Sequence, residues 1–92
     1  MSIYTNAIKY FGVFNQFLKT AEECAELQKE LIKAALKDCT EELSPQEINN
    51  ICEELCDIEI MISQLRTLNG FAKKIDAIKK LKLKRLKGLI NG

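Results

Sequence analysis

Ser44-Pro45-Gln46-Glu47-Ile48-Asn49-Asn50-Ile51-Cys52-Glu53-Glu54-Leu55-Cys56-Asp57-Ile58, continuing through Glu59-Ile60-Met61-Ile62-Ser63-Gln64-Leu65, is the stretch that decides the fold. Ser44 is a helix N-cap, Pro45 occupies the first helical position, where its missing N–H costs nothing, and Glu47 completes a capping box. Behind that start, Ile48, Ile51, Leu55, Ile58, Ile62 and Leu65 recur at the three-four spacing of one helix face. Asn69-Gly70 is the expected left-handed stop.

Upstream, residues 38–44 are polar. Before them, Phe14, Phe17, Leu18, Ala21, Ala25, Ile32, Ala35 and Leu36 keep helical rhythm over about residues 13–37. Gly12 separates this helix from a short one over residues 3–11. Downstream of Gly70, Phe71, Ile75, Ile78, Leu81, Leu83, Leu86 and Ile90 alternate with Lys and Arg, which predicts a fourth, basic amphipathic helix. With one Pro, four Gly and no β-branched alternation, the chain reads as all-α. Short connections force sequential helices side by side, so the expected architecture is an antiparallel bundle of about four helices forming one domain, 1–92.

A chain of 92 residues is near the lower limit for a self-sufficient core. A homo-oligomer, dimer or tetramer, is therefore expected to complete the burial. A hydrophobic fraction of 47% with 29% charged residues excludes a disordered chain. No apolar run has the length of a membrane span and Met1-Ser2-Ile3-Tyr4 lacks the features of a signal peptide, so no membrane partner and a cytoplasmic location are expected. Cys24, Cys39, Cys52 and Cys56 are read as thiols. With no His and no Cys-x-x-Cys a structural zinc site is not expected, and Cys52 at least is read as a small buried hydrophobe.

The formal charge of +1 conceals an asymmetry. Residues 1–70 carry six Lys or Arg against twelve Asp or Glu, net −6, and residues 71–92 carry eight against Asp76 alone, net +7. Within the acidic part, Glu23 with Glu26 and Glu54 with Asp57 are pairs at i, i+3 on successive helices, each pair roughly 5–6 Å apart at Cβ. Carboxylates so close repel one another unless a cation or a proton lies between them. Hard oxygen ligands of this kind suit Mg²⁺ or Mn²⁺, ions that bind through a few carboxylates together with substrate phosphates.

These residues, in order and spacing, resemble the signature of MazG-like nucleoside triphosphate pyrophosphohydrolases of the all-α NTP pyrophosphatase superfamily. The resemblance rests on Gly12-x-x-x-Gln16, Glu22-Glu23-x-x-Glu26 with Ala25-Glu26-Leu27, Glu54-x-x-Asp57 leading into Ile58-Glu59-Ile60-Met61-Ile62-x-Gln64-Leu65, and Lys82-Leu83-x-Arg85-Leu86. It spans about residues 7–89 and is nearest the short single-domain forms found in phages and Firmicutes. It implies hydrolysis of a nucleoside triphosphate, most simply a deoxynucleotide, to its monophosphate and pyrophosphate. By the same resemblance, Glu23, Glu26, Glu54 and Asp57 would hold Mg²⁺ or Mn²⁺, and Glu22 would be a catalytic or water-activating acid. Lys82 and Arg85, i, i+3 on one face of the basic helix, are then candidates to contact the phosphates or the neighbouring acidic site, and Gln16, less than two turns before the first acidic motif, is a candidate to approach the base or sugar. The chain has neither Trp nor His, so base recognition is not assigned.

A different class stays open. A small helical protein with a basic last helix could be a nucleic-acid-binding regulator, such as an antitoxin or a phage regulator. Against it, that helix lacks base-reading side chains and no helix-turn-helix spacing is present. Nucleic acid is therefore not the expected partner.

Overall fold

The computed structural model describes residues 2–37 and 42–92; Cys39 and part of the polar connection lie outside them. Four helices follow in order, α1 (Ile3–Phe11), α2 (Val13–Ala35), α3 (Pro45–Leu65) and α4 (Phe71–Asn91), and no strand occurs among the described residues. The all-α bundle expected from the sequence is what forms.

Local chemistry sets each boundary. Ser2 caps α1, its hydroxyl accepting from the Thr5 amide at 3.2 Å. Gly12 then adopts φ 93°, ψ 148°, a conformation open to glycine and strained for other residues, and breaks the helix in two. At Ser44 the capping box is complete. The Ser44 amide donates to Glu47 Oε1 at 3.0 Å, and the Glu47 amide donates to Ser44 Oγ at 3.2 Å.

The end of α3 departs from the sequence expectation. The helix stops at Leu65, and Thr67 and Leu68 continue it as i, i+3 turns onto the carbonyls of Gln64 and Leu65. Gly70, at φ 82°, is the N-cap of α4. The Asn69-Gly70 signal therefore belongs to the helix that follows. Its left-handed residue turns the chain, and Arg66 donates through Nη2 to both carboxylate oxygens of Asp76 at 3.0 and 3.1 Å, tying the first turns of α4 to the end of α3.

Gln16 meets Gln64, Glu23 meets Asp57 and Lys37 meets Glu47, pairings that define α2 and α3 as an antiparallel hairpin. α2 turns toward α3 the row Gln16, Thr20, Glu23, Leu27, Glu30 and Ala34, all buried or half-buried. α1 packs across the open end of the hairpin, burying Ile8. Among the described residues the only buried apolar side chains are Ile8 and Met61, and they share the interior with Gln16 and Gln64, whose amides bond at 2.7 Å. α4 contributes no buried residue. Cys52, expected inside, is exposed because it lies on the side of α3 away from α2.

The radius of gyration is 16.5 Å, against about 12 Å for a compact domain of this length. The extended shape follows from α4 standing off the other three helices.

The Lys37 ammonium, 2.6 Å from Glu47 Oε1, together with the Ser44 amide and hydroxyl, holds the Glu47 carboxyl at a pKa of about 2, below its ordinary 4.5. A carboxylate depressed on folding adds stability above its unfolded pKa and loses it as pH falls through the folded one. Glu47→Gln should therefore lower the melting temperature at pH 7, and the gap to the parent should close between about pH 4.5 and pH 2 in a pH series of thermal melts.

Candidate metal centre

Midway along the hairpin, Glu23 from α2 and Glu54 and Asp57 from α3 each bring a carboxylate oxygen within 4.8 Å of the others. Spacing explains the meeting. Glu23 belongs to the inward row of α2, and Glu54 and Asp57 are neighbours one turn apart on α3. Lys19, i−4 from Glu23, pairs with it at 3.1 Å and lies 3.7 Å from Glu22. That pairing raises the Lys19 pKa.

Glu54 carries the strain of the cluster. Its Oε2 atom is buried with no hydrogen-bond partner among the described residues. Its pKa is raised, first by burial and then by the negative charges of Asp57, Glu23, Glu26 and Glu30. Oxygens around one Mg²⁺ or Mn²⁺ are at most about 4.2 Å apart, twice the usual metal–oxygen distance. Side-chain adjustments of under an ångström would let the three acids share an ion. A hard cation also matches this all-oxygen donor set and would satisfy the orphaned Glu54 oxygen, so the residues fit the group.

Of the four ligands expected from sequence, three come together. Glu26 stands outside the cluster and acts on Glu54 through its charge. Two contributors escaped the sequence reading, Lys19 and Glu30, although their i, i+4 offsets from Glu23 and Glu26 were available as signals. Gln64, the buried partner of Gln16, was also missed as a site residue.

A cleft of about 440 Å³ adjoins the cluster, lined by Phe11, Asn15, Gln16, Lys19, Glu22 and Gln64 among others. Lys19 and Met61 form walls of both this cleft and a smaller one of about 140 Å³ that contains Glu23 and Asp57. Gln16 and Glu22 are thus close to the acids, Gln16 buried at the base and Glu22 exposed at the rim. Lys82 and Arg85 are elsewhere, on exposed α4, and neither forms an ion pair among the described residues. No helix among the described residues is long and apolar enough to cross a membrane.

No family model, curated protein or solved structure matches the chain in comparisons with known proteins.

A carboxyl whose pKa rises on folding makes the folded state bind more protons than the unfolded one, so its penalty grows as pH rises from 4.5 through the raised value. Metal-free Glu54→Gln should therefore melt higher than the parent at pH 7, with the difference fading in acid. Mg²⁺ or Mn²⁺ at a hundred times its Kd should stabilise the parent by about 2.7 kcal/mol and leave the variant unmoved, read by thermal melts with and without metal.

Proposed function

We propose that this chain is a divalent-metal-dependent nucleoside triphosphate pyrophosphohydrolase, cleaving an NTP or dNTP to the monophosphate and pyrophosphate. The observation that carries this reading is the convergence of Glu23, Glu54 and Asp57 around an unsatisfied buried carboxylate oxygen, beside a cleft of about 440 Å³. The volume falls within the range of small-molecule sites. The resemblance to MazG-like enzymes adds the order and spacing of the same acids.

In this reading Glu23, Glu54 and Asp57 hold Mg²⁺ or Mn²⁺ with Glu26 adjoining, and the ion when bound neutralises triphosphate charge and acidifies a water. The remaining steps belong to the chain. Water attacks the α-phosphorus, the bond from that phosphorus to the bridging oxygen breaks, pyrophosphate leaves and one proton is released, with Glu22 at the rim as its acceptor. The cleft beside Gln16 takes the nucleoside, and the buried Gln16–Gln64 amide pair keeps its wall rigid. Lys82 and Arg85 belong to a helix of net positive charge that draws a polyanion toward the acidic hairpin. The protein acts in the cytoplasm as a homodimer or homotetramer.

A second reading is favoured by one observation, that basic α4 is exposed from Asp76 to its end: a nucleic-acid-binding regulator. The two readings diverge at Glu54, which has no part in the second.

Purified protein incubated with a panel of NTPs and dNTPs should release pyrophosphate only with Mg²⁺ or Mn²⁺. Glu54→Gln should lower turnover more than about 100-fold, beyond what loss of a metal's outer partners costs. Unchanged turnover in that variant, or none in the parent with any nucleotide, sinks the enzyme reading. Lys82→Ala with Arg85→Ala should lower kcat/KM by about tenfold at low salt and less at high salt, as expected of steering by charge.

A further inference from the structure

Lys19 stands where the carboxylate cluster and the larger cleft meet. In successive turns α2 carries Gln16 at the base of the cleft, Lys19 on the wall shared by both hollows, and Glu23 in the cluster. Offsets of three and four residues keep them on one side of the helix. The Lys19 ammonium lies 3.1 Å from Glu23 Oε1 and 3.7 Å from Glu22 Oε1.

The two ends of the main pair differ in freedom. Glu23 has 13% of its side-chain surface exposed and Lys19 47%, so the carboxylate is fixed in the seam and the lysine is the partner able to swing. An ion pair this open to water is weak, and breaking it costs little. The other cations nearby are held elsewhere: Lys33 pairs with Glu30, Lys37 with Glu47 and Arg66 with Asp76. Among the described residues Lys19 is also the one cation that lines either hollow; Lys82 and Arg85 line neither.

Two cations therefore have a claim on one carboxylate. A divalent ion taken up by Glu23, Glu54 and Asp57 would be the largest charge in the site and would repel an ammonium beside it. Lys19 then loses its partner in the seam but remains tethered at the rim by Glu22. The wall it forms opens into about 440 Å³, where its neighbours Asn15, Gln16 and Gln64 are neutral amides. A lysine ammonium is a compact charge with three donors, well suited to phosphate oxygens.

We propose that Lys19 is an exchangeable cation: it holds Glu23 in the metal-free protein, yields that carboxylate to the divalent ion, and turns its ammonium to the triphosphate in the cleft. The inference rests on the metal and triphosphate site of the proposed function and assigns it a phosphate-binding residue from α2. Metal and triphosphate binding are thereby linked through one side chain. Metal binding frees the charge that the triphosphate uses, and by reciprocity the triphosphate draws away the cation that the metal must displace.

Two titrations that need no turnover test this on the full chain. Lys19→Met removes the charge at similar length, and Lys19→Arg keeps it. Mn²⁺ alone should bind the Met variant about fivefold more tightly than the parent, because a competing positive charge is gone. Magnesium tripolyphosphate should bind it about tenfold more weakly, the loss expected of one hydrogen bond to a charged group. The Arg variant should keep the Mn²⁺ affinity of the parent. Opposite signs are the signature, since a merely structural role would weaken both bindings or neither. In the nucleotide panel the loss should fall on KM rather than on kcat.

Unchanged or weaker Mn²⁺ binding in the Met variant, or unchanged tripolyphosphate binding, overturns the proposal. Should that variant fail to fold, Lys19→Gln in the same two titrations decides. A parent that takes up no Mn²⁺ removes the metal centre and this proposal with it. Opposite shifts in the two titrations without turnover of any nucleotide would remove the enzyme reading and leave the exchange standing.

Discussion

The structure depends on the cost of keeping Glu54 where it is. Its carboxylate is pressed between two helices with one oxygen lacking a partner among the described residues, in the combined field of Asp57, Glu23, Glu26 and Glu30. Lys19 is committed to Glu23 and Glu22 on the rim and Lys33 to Glu30, and neither pairs with Glu54 among the described residues. A helix pair built for stability alone would place Leu or Ile at position 54, since replacing buried charge by apolar side chains is commonly neutral or stabilising. An unfavourable feature at the centre of the best-packed helix pair is the kind of cost a fold carries for a binding site, as the proposed function requires.

That cost falls on a hairpin with little apolar packing of its own to offset it. The seam between α2 and α3 is built from Gln16, Thr20, Glu23 and Glu30 as much as from Leu27 and Met61, and the bond between Gln16 and Gln64 occupies space that leucines fill in an ordinary bundle. The apolar residues are present, but on the other side. The inward face of the pair is polar and its outer face carries the exposed apolar residues Phe14, Leu18, Ile48 and Ile62.

Much of this was legible in the sequence, and the rest failed for identifiable reasons. Ser44-Pro45-Gln46-Glu47 located the start of α3 because capping is local chemistry, settled within four residues. Gly12 was legible because its conformation excludes other residues. The acids at 23, 54 and 57 could be paired because i, i+3 spacing on successive antiparallel helices leaves few other arrangements. What periodicity could not say was which neighbour each face meets. The stripe from Phe14 to Leu36 reads as core in any amphipathic helix, and only tertiary structure shows that the polar row beginning at Gln16 is the one turned inward. Cys52 was misplaced by the same ambiguity, and the end of α3 because Asn69-Gly70 serves either the helix before it or the one after.

The placement of α4 follows from the same electrostatics. Eight cations folded over the α2–α3 front would pair with the carboxylates of the hairpin, lift the strain on Glu54 and compete with any metal for the same oxygens. A left-handed glycine at position 70 and the two bonds from Arg66 to Asp76 fix how α4 leaves α3, and α4 packs no residue into the interior. Asp76 is the only acid in the last 22 residues, and it is the one that anchors the helix. Charge on α4 acts over roughly a Debye length of 8–10 Å at ordinary salt, so its effect on the hairpin acids is that of a screened field. A chain of net charge +1 thereby keeps an acidic site and a basic field apart on one small scaffold.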